Sequence, residues 1–120
     1  MSQQSKSTWL VEWQDPNHRA VQLPLYLGRL IPGKTQRAYL YFKNMDHNVE
    51  DIKFILRIQN KDAQGNWIED DRGWAKILRA TENLRRAETG QIVIEFTPPL
   101  DLSKPPRMNL EAKVATVQVG

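Results

Sequence analysis

The chain has no cysteine among its 120 residues. Disulfide bridges, thiolate metal sites and a cysteine nucleophile are therefore excluded. Small secreted domains often depend on disulfides, so the absence favours a reducing, cytoplasmic setting in the producing cell. Only two histidines occur, His18 and His47, which leaves little imidazole for acid–base chemistry or zinc. The six glycines are scattered through turn-like segments, and no phosphate-binding loop or dinucleotide fingerprint can be written from them. No apolar run approaches the roughly 20 residues of a membrane-spanning helix, and the opening MSQQSKSTWLVEW lacks the apolar stretch of a signal peptide. Neither sign of charge dominates. Lys and Arg number 17 against 14 Asp and Glu, a net charge of +3, which suits an acidic partner but is too weak to call for nucleic acid.

What is present is alternation. The length suits one domain, and 40% hydrophobic residues can supply its core. In Arg37–Gln59, RAYLYFKNMDHNVEDIKFILRIQ, Ala38, Leu40 and Phe42 share one face, and Ile52, Phe54, Leu56 and Ile58 share another. A period of two predicts strands with one buried and one wet face, here joined by a short polar turn. Trp9, Val11 and Trp13 alternate in the same way, as do Val21, Leu23, Leu25 and Leu27. Pro24 marks that second run as an edge strand or a bulge. Gln91–Thr97 is a further strand ended by Pro98-Pro99, and Asn109–Val119 is the last, with a phase flip that suggests a bulge. Turns fall at Asp15-Pro16-Asn17, Ile31-Pro32-Gly33-Lys34 and Asp62–Asn66. Trp74–Leu84 fits a strand near Trp74–Leu78 followed by a loop, with a short helix within 74–84 as the alternative. Residues 1–7 are polar and expected to be a disordered tail, leaving 8–120 as a single all-β domain.

Chemistry finds little footing. His47 lies near Asp46, Glu50 and Asp51, but the spacing matches no zinc motif and reads as a turn. Asp62, Glu69, Asp70 and Asp71 invite calcium, yet an EF-hand register started at Asp62 puts Trp67 at position six and Gly73 at position twelve. Ser2, Ser5 and Ser7 sit in the tail and Ser103 among prolines, outside any nucleophile elbow. No acid–base pair can be placed. The expectation is a non-enzymatic protein with no catalytic, cofactor-binding or metal-binding residues. Arg79, Arg85, Arg86, Lys104 and Arg107, with Trp67 and Trp74, give a weak alternative of single-stranded nucleic-acid binding, diluted by Glu82, Glu88 and Glu95.

The segment PGKTQRAYLYFKNMDHNVEDIKFILR resembles the middle of immunoglobulin-like domains: a Pro-Gly turn, an apolar strand ending in Lys-Asn, a polar turn and the next strand. AETGQIVIEFTPP resembles their later strand after a Gly turn. The resemblance spans roughly residues 30–119 and implies an antiparallel immunoglobulin-like β-sandwich of about seven to eight strands. Free-standing domains of this kind occur among phage virion components and intracellular adaptors. The resemblance thus implies a structural or interaction protein, foremost a virion component (capsid decoration, head–tail connector or tail), working through protein partners as a homo-oligomer or lattice, without membrane. An intracellular adaptor or a carbohydrate-binding module is the alternative. Exposed aromatic and arginine side chains are the usual anchors of such contacts. Tyr39, Tyr41, Ile55, Arg57, Trp67 and Trp74 are the candidate interface residues, with Tyr39, Tyr41, Ile55 and Arg57 expected on the outward face of the first strand pair.

Overall fold

The computed structural model describes residues 3–4, 9–28, 30–114 and 118–119, all as strands, turns and loops. The strands in chain order are β1 (Gln3–Gln4), β2 (Val11–Gln14), β3 (Leu25–Tyr26), β4 (Gln36–Asn44), β5 (Lys53–Lys61), β6 (Trp67–Asp70), β7 (Ala75–Ala80), β8 (Thr89–Phe96), β9 (Arg107–Lys113) and β10 (Gln118–Val119). Two four-stranded antiparallel sheets form: sheet I in the order β2-β4-β8-β7, sheet II in the order β3-β9-β5-β6, with β1 and β10 paired separately. This strand order, with the chain crossing between sheets after β4, β6 and β8, is an immunoglobulin-like sandwich. No helix is long and apolar enough to cross a membrane among the described residues.

The inward set of each strand meets between the sheets. Leu40, Phe42, Ile52, Ile58, Ile92, Ile94, Phe96, Met108 and Leu110 are buried, with Ala38, Phe54 and Leu56 packed against them. Phe42 touches the rings of Trp9, Trp13 and Phe54 at centroid distances of 6.2, 5.6 and 5.2 Å. Opposite Phe42 in the β4–β8 register is Gly90, where a Cβ would come within 2.9 Å of the Phe42 Cζ. The close approach of ring and backbone requires glycine there.

β4 and β5 are not a hairpin. β4 pairs with β2 and β8, whereas β5 pairs with β6 and β9, so residues 45–52 cross from one sheet to the other. The crossing segment is itself anchored: Val49 and Ile52 are buried, Val49 bridges to Leu84, and the Ile52 amide donates to the Glu82 carbonyl at 2.9 Å. An exposed hairpin turn would bury neither side chain.

Residues 75–80 are a strand rather than a helix, with a bulge between Ile77 and Arg79. Helical spacing there coincides with strand alternation interrupted by one extra residue, which throws Leu78 outward. The run containing Pro24 shrinks to the two-residue edge strand β3. The Asp62–Asn66 connection is a hairpin as expected, with the Asp62 carboxylate accepting the amides of Gln64 and Asn66 and Gly65 at φ +86°. Of the expected tail, Gln3 and Gln4 are in register with Val119 and Gln118. The rest of residues 1–7, and the phase flip expected near Ala115, lie outside the described residues.

Candidate interaction faces

Alternation assigns each outward side chain to one of two surfaces. Tyr39 and Tyr41 rise from β4 onto the outer face of sheet I. Tyr39 is 40% exposed, and the Tyr41 ring is stacked by His18 at 4.2 Å. His18 is fixed in turn by Gln14 Oε1, 3.1 Å from its Nδ1. Ile55, Arg57 and Trp67 lie on the outer face of sheet II. The crossing between β4 and β5 thus splits the expected contact face, and Tyr39 and Tyr41 stand on the opposite side of the sandwich from Ile55 and Arg57. Trp74 belongs to neither face. Its ring packs against the buried Phe96 at 6.2 Å, and its indole N–H donates to Asp70 Oδ2 at 2.8 Å.

On sheet II the residues nearest Trp67 build a joined cluster. Tyr26, Arg107, Gln59 and Glu69 form one cross-strand row, and Lys61 pairs with Trp67 in the next. Residues on the same row alternate in phase with the strands and emerge on one side. Trp67 is large enough to lie across the row. The Arg107 guanidinium sits 4.3 Å from its ring centroid, Lys61 Nζ is at 5.4 Å, and the Tyr26 ring meets it edge-on at 5.9 Å. Arg107 Nε donates to Gln59 Oε1 at 2.6 Å, which holds the guanidinium over the indole. Tyr26 remains 65% exposed. Arg57, by contrast, is occupied by Glu69 at 3.5 Å and Glu111 at 3.2 Å, and Lys113 lies 3.9 Å from Glu111. Those exposed pairs add little stability, but they leave Lys53, Lys61 and Arg107 as the cations not engaged by a carboxylate on this face among the described residues, the last two beside Trp67.

No family model matches the sequence, and no curated protein matches it. Among solved structures, the chain is similar to the ASH/PapD-like domain of human CEP192 (PapD-like domain 7), at 15% identity and a TM-score of 0.45, over 90% of this chain and 79% of that one.

Cavities are small. One of about 330 Å³ is bounded by Asn60, Ile68 and Arg72, and one of about 170 Å³ by Lys61, Arg72, Asp101 and Lys104. A buried carboxylate, Asp70, lines the larger one. The Asp70 side chain is 2% exposed and accepts from Arg72 Nη2 at 2.7 Å, Trp74 Nε1 at 2.8 Å and Asn60 Nδ2 at 2.5 Å. Arg72 reaches on to Asp101 at 3.1 Å. Hydrogen bonds from Arg72 above all, then Trp74, hold the Asp70 carboxyl well below its ordinary 3.8, against the opposing effect of burial. A depressed folded-state value means the anion is favoured by folding. The resulting stability is present above the ordinary value and lost as the pH falls below it. Thermal unfolding from pH 6 down to pH 2 checks this: the midpoint of the Asp70→Asn variant should lie below that of the parent at neutral pH, by about 1–2 kcal/mol of stability, and converge on it in acid. A constant gap across that range would show that Asp70 does not carry the acid limb.

The sequence does not single out Tyr26 or Lys61, and it offers Arg107 only among the basic residues of the nucleic-acid alternative. Tyr26 was visible as the aromatic residue out of phase with Leu25 and Leu27, but nothing local says that β3 will dock beside β9, two strands away from Trp67.

Proposed function

We propose that this chain is a non-enzymatic protein-interaction domain that binds through the outer face of sheet II, centred on Tyr26, Trp67 and Arg107. The observation that carries this is the half-buried arginine–tryptophan stack at 4.3 Å, edged by an exposed tyrosine. Tryptophan, tyrosine and arginine dominate the energetics of protein contacts. Here they are ordered before any partner arrives, which lowers the entropy lost on docking. The indole already stacked by Arg107 offers less open ring to a sugar or a nucleobase than a bare platform would.

The narrower form of this proposal is a virion accessory protein, a capsid-decorating, head–tail connecting or tail component made in the cytoplasm and placed among copies of itself. An intracellular adaptor is the alternative. Both rest on analogy of fold. A photo-crosslinking amino acid at position 26, expressed in the producing cell, tests the shared core. Adducts to protein should form and should fall at least tenfold when Trp67→Ala and Arg107→Ala are added. The same probe at position 39 serves as the control for the opposite face. Adducts that are absent, or indifferent to those two changes, sink the proposal.

A further inference from the structure

The loops at the far end of the sandwich carry a surface opposite in character to the Trp67 cluster. β4 ends there at Asn44, and residues 45–52 and 82–88 are knitted together by the Val49–Leu84 bridge and the Asp51 amide on Asn83 Oδ1 at 3.1 Å. At its tip two apolar side chains stand out: Leu10 at 60% and Met45 at 51% exposure. They are neighbours, since the Met45 amide donates to the Leu10 carbonyl at 3.0 Å. Around them the two loops bring five carboxylates, at positions 46, 50, 51, 82 and 88, against Arg85 and Arg86. Around Trp67 the outer face of sheet II is the reverse: three cations, at positions 57, 61 and 107, against Glu69, around an aromatic centre.

We propose that the occupant of the Trp67 cluster is the tip of a second copy of this chain, with Leu10 and Met45 set against Tyr26 and Trp67 and the tip carboxylates meeting Lys61 and Arg107. This rests on the interaction reading above and names its partner. Apolar residues ringed by acid on one side and aromatic residues ringed by base on the other are complementary in both respects. The two surfaces lie at opposite ends of β5, eight residues or roughly 26 Å apart, and one is a tip whereas the other is a broad face. A tip set on a face is a heterologous contact. It leaves each copy with one unused surface, so assembly continues into a ring or an open chain rather than stopping at a pair.

Sedimentation velocity on the full chain tests this. The weight-average mass should rise with concentration beyond the dimer at low ionic strength and fall toward the monomer at about 0.5 M salt, where the Debye length has shrunk to roughly 4 Å. Two one-sided variants make the test specific. Lys61→Glu with Arg107→Glu spoils the face, and Met45→Lys with Glu50→Lys spoils the tip; thermal melts check that both are folded, with Lys61→Glu alone as the milder face variant. Each should be monomeric by itself, and their mixture should give a dimer of one of each, capped at both ends. A monomeric wild type at low salt, a wild type that stops at a dimer, a one-sided variant that still associates alone, or a mixture that stays monomeric would each overturn the proposal. A monomeric wild type whose position-26 crosslinks to another protein persist removes self-association and leaves the interaction reading standing. Loss of both removes both.

Discussion

Phe42→Ala lowers the stability of this domain by about 3–5 kcal/mol, the range for deleting a fully buried aromatic ring. Phe42 has no exposed surface. Its ring is where three elements meet: Trp9 and Trp13 from the start of sheet I and Phe54 from sheet II. Two of those neighbours are indoles with limited rotamer freedom, and the fourth wall is the Gly90 backbone, so the surroundings are poorly placed to collapse into the vacated space. The loss is a large share of the roughly 5–15 kcal/mol available to a domain of this size. Urea unfolding checks it: the midpoint should drop with the slope unchanged, and Phe42→Leu, which keeps much of the volume, should cost less than half as much. An alanine variant within about 1 kcal/mol of the parent would mean that Phe42 does not join the two sheets.

Phe42 is also where sequence and structure agree most fully. Period-two alternation placed Ala38, Leu40, Phe42, Ile52, Phe54, Leu56 and Ile58 inward, and all seven belong to the core or pack against it. Burial of one strand face is a local property, since neighbouring side chains on a pleated backbone must point to opposite sides whatever the strand pairs with. Sheet membership is not local. A polar stretch between two strands looks the same whether the chain turns back beside itself or crosses to a second layer. Here Val49 supplies the difference, as an apolar residue in the connection buried against Leu84.

The same distinction governs the candidate site. Which residues point outward was legible for Tyr39, Tyr41, Ile55 and Arg57, but their grouping depended on the strand pair being a hairpin. Once β4 and β5 part into different sheets, the aromatic residues of β4 and the arginine of β5 face away from each other. Trp67 keeps its outward place and gains Tyr26 and Arg107, brought to it by strands distant in sequence. Trp74 stays half-buried, and the turn at Asp70–Gly73 supplies a carboxylate for its indole N–H, which holds the ring against Phe96.

Asn44→Leu lowers stability by about 3 kcal/mol although it replaces a polar side chain with a larger apolar one in the core. Asn44 is 1% exposed and its amide is used at both ends. Its Oδ1 accepts from Trp9 Nε1 at 2.8 Å and from the Asp46 amide at 2.9 Å; its Nδ2 donates to the carbonyls of His47 at 2.8 Å and Leu84 at 3.2 Å. Those four bonds are the capacity of a primary amide. They tie the first tryptophan, the sheet-crossing loop and the 82–88 loop to the end of β4, so leucine leaves two donors and the His47 carbonyl without partners where water has poor access, while the Leu84 carbonyl keeps only the Val49 amide at 2.8 Å. Asn44→Asp separates this account from a simple loss of shape. The carboxylate keeps both acceptors but sets negative charge against two carbonyls, so at neutral pH it should be at least as damaging as leucine. Once protonated in acid it recovers one donor. The gap between Asn44→Asp and wild type, measured by urea unfolding at each pH, should therefore narrow as the pH falls, whereas the gap for Asn44→Leu should not. If leucine is neutral, or if aspartate matches wild type at pH 7, the Asn44 network is not what secures the crossing between the sheets.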